Sequence, residues 1–297
     1  MQQARELNGR FNTAGLKFID GPGGLVRAAI QSERCLGELY LQGAHVTGWT
    51  PAGQRPVLWM SQQSQFERAK PIRGGIPICC PWFGPHSSDS RLPAHGTARI
   101  QHWSVLSAEL STDDAVRILL ETDIDDFQLR YAVEFGQTLR LSMQVRLSEK
   151  SGSRQHCELA MHTYFCVSDI HRIEISGLER ARYIDKLDGA TEKPAIESVI
   201  RFREETDRVY RDTADPCVLH DPQWNRKIMV SKTGSRSTVI WNPWVAKSQR
   251  MPDFGDHEWL EMVCIETANV GPNQMQLAPG DVAEMTVELS VECPETQ

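Results

Sequence analysis

Regular alternation of apolar and polar side chains is the feature that most limits what this chain can fold into. Over Leu139–Leu147, the residues Leu139, Leu141, Met143, Val145 and Leu147 alternate with Arg140, Ser142, Gln144 and Arg146. Successive side chains of a strand point to opposite faces, so this pattern predicts a half-buried β-strand rather than an amphipathic helix. Near the C-terminus Met285, Val287, Leu289 and Val291 alternate in the same way with Glu284, Thr286, Glu288 and Ser290. Period two returns in HCELAMHTYFCV and STVIWN, and Gly/Pro-rich stretches such as DGPGG, FGPHSSDSRLP and ANVGPNQMQLAPGD separate the runs. The expected class is all-β, a large antiparallel β-sandwich. Short helices are expected only at SQQSQFERA from Ser61 and DDFQLRY at 125–131. No repeat or linker divides the chain, so residues 1–297 read as one domain.

Charge narrows the partners. A formal net charge of -7 argues against a nucleic-acid or anionic-membrane surface, which calls for clustered Lys and Arg. Any anion must be caught by a few well-placed cations. The start MQQARELNGRF lacks an apolar core before a cleavage site, and no later stretch has the length to cross a bilayer. A soluble, cytoplasmic, monomeric protein is the expectation. The cysteines Cys35, Cys79, Cys80, Cys157, Cys166, Cys217, Cys264 and Cys293 show no CxxC spacing, and several lie in apolar runs. They read as buried free thiols, with no metal site.

Three segments carry residues suited to chemistry. KPIRGGIPICCPWFG at 70–84 and LPAHGTAR at 92–99 put Arg73, His95 and Arg99 beside glycines, which permit sharp turns and close approach. An arbitrary arginine is far more often a surface or ion-paired residue than a ligand. In AMHTYFCVSDI, alternation puts His162 on one face with His156, Glu158 and Tyr164; a lone strand histidine is more often structural than catalytic. In EMVCIETANV, Glu266 shares a face with Met262 and Cys264, and a carboxylate in such a run is either a strand-end residue facing water or a desolvated general base. VIWNPWVAKSQRMPDFGDHEW reads as a long ordered loop flanking a site.

In order along the chain, PIRGGIPICCPWFG, LPAHGTAR, MHTYFCVSDI, GLERARYIDKLDG, ETDRVY, VIWNPW, DFGDHEW and MVCIETANV resemble the hexose-6-phosphate mutarotases of the aldose-1-epimerase superfamily. The resemblance implies a galactose-mutarotase-like β-sandwich that needs no cofactor and acts on a small sugar phosphate. It implies His162 as catalytic acid and Glu266 as catalytic base. Arg73 and Arg99 match substrate-binding arginines, Asp207 an aspartate that holds ring hydroxyls, and His95 a second site histidine. The residue before that histidine is commonly glutamine in the family and is Ala94 here.

The implied reaction breaks the C1–O5 bond, with Glu266 taking the C1 hydroxyl proton and protonated His162 supplying one to O5. Rotation about C1–C2 and reclosure give the other anomer. Two guanidinium forks suit a phosphate dianion. The rival readings are a carbohydrate-binding or regulatory sandwich without turnover, and a mutarotase for an unphosphorylated aldose. Retention of both His162 and Glu266 argues against the first, and the paired arginines argue against the second.

Overall fold

The computed structural model describes residues 2–293. Two eight-stranded antiparallel sheets dominate. One runs in the order Glu174–Ser176, Cys217–Asp221, Arg226–Thr233, Val282–Glu292, Leu139–Leu147, Phe127–Phe135, Val116–Ile124 and Ser104–Leu110. The other runs Thr191–Pro194, Arg182–Asp185, Thr206–Arg211, Ser237–Asn242, Met262–Asn269, Leu159–Met161 and Ile78–Cys79, with Tyr164–Cys166 also paired to Met262–Asn269. A four-stranded sheet spans Leu16–Asp20 to His45–Pro51.

The first sheet behaves as its alternation requires. Leu139, Leu141, Met143, Val145 and Leu147 are all buried, and Arg140, Gln144 and Arg146 are exposed. They pair with Val282–Glu292, whose Met285, Val287 and Leu289 are buried beside them. The main core then draws on both large sheets, from Phe18 and Leu39 through Tyr131 and Phe165 to Leu289.

The second sheet is different, because Ser237–Asn242 and Met262–Asn269 are buried at every position. One face packs on the main core. On the other, Cys79, Ala160, Val209, Val239, Ala268 and Val270 form a smaller apolar cluster, with Phe83 and Ile184 packed against it. This second buried face is the floor of the candidate site.

Neither expected helix forms. Ser61 and the residues after it make turns, tied down where Ser61 Oγ and the Gln62 N–H donate to the Glu258 carboxylate at 2.7 Å each. At 125–131 the chain turns at Asp125, with φ 51°, and enters the strand Phe127–Phe135, whose Phe127, Leu129, Tyr131, Val133 and Phe135 are buried. Alternation prevails there over local helix propensity. The α-helices present are Gln2–Arg10 and Trp244–Ser248. Among the described residues no helix is long and apolar enough to cross a membrane.

Candidate active site

The segment carrying His162 is not one continuous strand. Gln155–Cys157 pairs with Met275–Leu277 in a separate ribbon, where His156 is exposed, and Leu159–Met161 and Tyr164–Cys166 flank an interruption at His162–Thr163. There the His162 N–H turns to the Pro77 carbonyl at 3.0 Å, and the Tyr164 N–H to the Gly75 carbonyl at 2.9 Å. Those bonds draw the Arg73–Pro77 segment alongside.

Register across the interruption is kept. Met161 pairs with Thr267 and Tyr164 with Cys264, so His162 faces Glu266 on the neighbouring strand. Facing residues of adjacent strands share one side of a sheet. Accordingly, His162 Nε2 and Glu266 Oε1 lie 3.3 Å apart, and the two residues are only 7% and 1% exposed. The remaining polar atoms, His162 Nδ1 and Glu266 Oε2, are buried without a hydrogen-bond partner.

Electrostatics push both groups toward their neutral forms. Burial, with Asp207 adding like charge, drives the Glu266 carboxyl well above its ordinary value. Burial drives the His162 imidazole well below its own, with His95, Arg73 and Arg99 adding to the effect. Burial and the nearby cations thus set the direction at His162, although Glu266 lies 3.3 Å away.

Tyr164 lies parallel to the His162 ring, with centroids 4.7 Å apart and planes 8° apart, and its hydroxyl accepts from Arg73 Nη1 at 2.9 Å. Arg73 also donates from Nε and Nη2 to the two oxygens of Asp253, at 3.2 and 3.3 Å. Its charge is thus matched by a carboxylate. The tight turn that holds it depends on Gly75, at φ 61°, where a Cβ would stand 2.2 Å from the Val46 carbonyl oxygen. Arg99, by contrast, has Nη2 on the Ala94 carbonyl at 2.7 Å and a buried Nε with no partner.

His95 packs edge-on to Phe83 and lies 5.8 Å from His162, ring centre to ring centre. The Gly84 N–H donates to its Nδ1 at 3.3 Å, and burial with Arg99 lowers its pKa to about 3. The neutral ring therefore carries its proton on Nε2 and can donate from there. Asp207 pairs in register with Trp241, and Trp241 with Cys264, so Asp207, Trp241, Cys264 and Tyr164 form a row across four strands. Burial raises the Asp207 pKa, with Lys186 and Lys247 opposing.

All six residues singled out in the sequence thus border one buried sheet face. Tyr164, Asp253 and Lys186 were given no role there. Of these only Tyr164 had a readable signal, since alternation sets it on the His162 side of the strand. Six of the eight cysteines are buried and free, Cys166 is partly buried and Cys293 is exposed. Among the described residues no group of three or more His, Cys, Asp or Glu side chains is arranged to hold a metal ion.

Comparison with known proteins gives the same family from several sides. The family model described as aldose 1-epimerase matches residues 28–290. A protein of Cenchrus ciliaris provisionally named glucose-6-phosphate 1-epimerase is 32% identical over 92% of this chain and 87% of its own. One of the same provisional name from Escherichia coli K12 is 36% identical over 79% of this chain and 80% of its own. The crystal structure of a provisionally named mutarotase from Salmonella typhimurium superposes with a TM-score of 0.86 at 29% identity, covering 95% of each chain. Galactose 1-epimerase from Lactobacillus acidophilus shares the fold, with a TM-score of 0.72 at 10% identity and coverage of 93% of this chain and 98% of its own. The protein is therefore an enzyme of the aldose 1-epimerase family.

Proposed function

We propose that this enzyme interconverts the α and β anomers of a hexose 6-phosphate, glucose 6-phosphate first among them. The observation that carries the reading is the buried, facing pair of His162 and Glu266, each with an unpartnered polar atom, beside arginines. Such a pair holds one proton between two groups. In the free enzyme burial favours that proton on Glu266.

A phosphate dianion near Arg99 and Arg73 offsets the positive charge that adds to burial in keeping His162 neutral. The proton then has reason to cross to the imidazole, leaving Glu266 as carboxylate. Glu266 takes the proton from the C1 hydroxyl, His162 gives its proton to O5, and the C1–O5 bond breaks to the open-chain aldehyde. After rotation about C1–C2, the O5 hydroxyl attacks the other face of C1. His162 recovers the O5 proton and Glu266 returns its proton to the new anomeric oxygen. Neutral His95, donating from Nε2, is suited to steady the ring or carbonyl oxygen. Asp207 is suited to hold ring hydroxyls.

One observation favours a second reading, a mutarotase for an unphosphorylated aldose. Arg73 is already matched by Asp253, which leaves Arg99 as the principal cation for a phosphate. Exchange NMR on glucose 6-phosphate beside glucose and galactose decides between them. Faster exchange for the phosphate supports the first reading, and equal or faster exchange for a free sugar supports the second.

A further inference from the structure

Lys186 sits on the turn after the strand Arg182–Asp185, and its backbone N–H donates to the Asp207 carbonyl at 2.9 Å. The turn is braced by its own charges. Lys193 Nζ lies 2.8 Å from both Asp185 Oδ2 and Asp188 Oδ2, and the Leu187 N–H donates to Asp185 Oδ1 at 3.1 Å. Both acids of the turn are therefore taken by Lys193. Among the described residues Lys186 forms no ion pair, whereas Lys247 is 3.0 Å from Glu205 and 3.9 Å from Asp207 Oδ2.

The Lys186 ammonium instead reaches 5.0 Å from the centre of the Phe83 ring, the ring that packs edge-on to His95. It thus spans from the Asp207 side of the sheet face to the turn carrying Phe83 and Gly84. A lysine held on a rigid turn, beside a substrate-facing carboxylate and with no acid of its own, is positioned for a ligand rather than for the fold.

We propose that Lys186 and Asp207 form a donor–acceptor clamp for two neighbouring ring hydroxyls of the sugar. A carboxylate can only accept and an ammonium can only donate, whereas a vicinal diol offers both functions side by side. Asp207 accepts from one hydroxyl and Lys186 donates to the oxygen of the next. Lys186 is the largest influence opposing the burial that raises the Asp207 pKa, so the two act on each other as well as on the ligand. The clamp rests on the mutarotase reading and adds its sugar selectivity, because it senses hydroxyls far from the phosphate.

The test compares wild type, Lys186→Met and Lys186→Arg, each shown folded by calorimetry, on glucose 6-phosphate and its 2-, 3- and 4-deoxy analogues. Lys186→Met is expected to raise KM for glucose 6-phosphate about tenfold, the lower end for a hydrogen bond to a charged group, with the loss on KM rather than kcat. Lys186→Arg is expected to recover most of it. On one analogue, the one lacking the hydroxyl that Lys186 holds, wild type and Lys186→Met are expected to have the same KM, while the other two analogues still show the difference. An equal loss on all three analogues, or none on any substrate, overturns the clamp. Wild type that accelerates exchange of none of the four sugars overturns the mutarotase reading as well, a result distinct from an active enzyme indifferent to residue 186.

Discussion

Glu266 Oε1 stands 3.3 Å from His162 Nε2 across adjacent strands, in a position where neither residue is more than 7% exposed. Two titratable groups so close titrate as a unit, and the working state of the unit is the one holding a single proton. Its lower bound is the pKa of His162, depressed by burial, and its upper bound that of Glu266, raised by burial. The acid limb of kcat/KM is therefore expected below pH 6.5, the ordinary imidazole value. A pH–rate profile with its acid midpoint at or above 6.5 would show that burial does not govern the pair.

A second pH effect concerns stability. His45 is fully buried, Nε2 bonds the Gly74 carbonyl at 2.7 Å, and its pKa falls from 6.5 to about 4, chiefly through burial. Between those values the unfolded chain binds a proton that the folded one refuses. The contribution is present above pH 6.5 and lost as pH falls, by up to about 1.4 kcal/mol per pH unit and about 3 kcal/mol by pH 4. Urea unfolding of wild type and His45→Gln from pH 7 to 4.5 should show the wild type losing stability faster by up to one proton. Parallel curves would mean that His45 is protonated in the fold.

The two arginines are expected to differ. Arg99 has an unpartnered Nε, whereas Arg73 is matched by Asp253 and bonded to Tyr164. Arg99→Ala should weaken glucose 6-phosphate by about 1.5–3 kcal/mol and spare glucose. Arg73→Ala should impair both sugars and lower the melting temperature, since it strands the half-buried Asp253 carboxylate and removes the bond to Tyr164. Equal losses on both sugars for Arg99→Ala would remove the phosphate assignment.

Gly96 carries the turn between His95 and Arg99. Its φ is 73°, and a Cβ there would stand 2.0 Å from the Cys80 carbonyl oxygen. Gly96→Ala should cost about 1–3 kcal/mol of stability by denaturant titration. A cost under about 0.5 kcal/mol would show that the turn yields.

The strands were legible where one face is wet. Leu139–Leu147 alternates because Arg140, Gln144 and Arg146 meet solvent. Alternation told less over Met262–Asn269, where both faces are buried and polarity no longer reports direction. Helix Gln2–Arg10 escaped notice because only Ala4 is buried on it, leaving no apolar stripe to read. His162 and Glu266 were recognisable one at a time, but their facing register is a property of strand pairing. Asp253 was hidden for a similar reason, since it meets Arg73 across 180 residues of chain. Lys186 looks like any turn lysine until Lys193 is seen to occupy both neighbouring acids.

The most direct test of the proposed chemistry is the catalysed exchange rate between glucose 6-phosphate anomers for wild type, Glu266→Gln, His162→Asn and the double variant, with the uncatalysed rate subtracted. Each single change is expected to slow exchange by about two to four orders of magnitude in a folded protein. Because the two groups share one proton, the double variant is expected to be little worse than the poorer single. Near wild-type exchange in both folded single variants would contradict the assignment and move the search for the acid and base to His95 and Asp207.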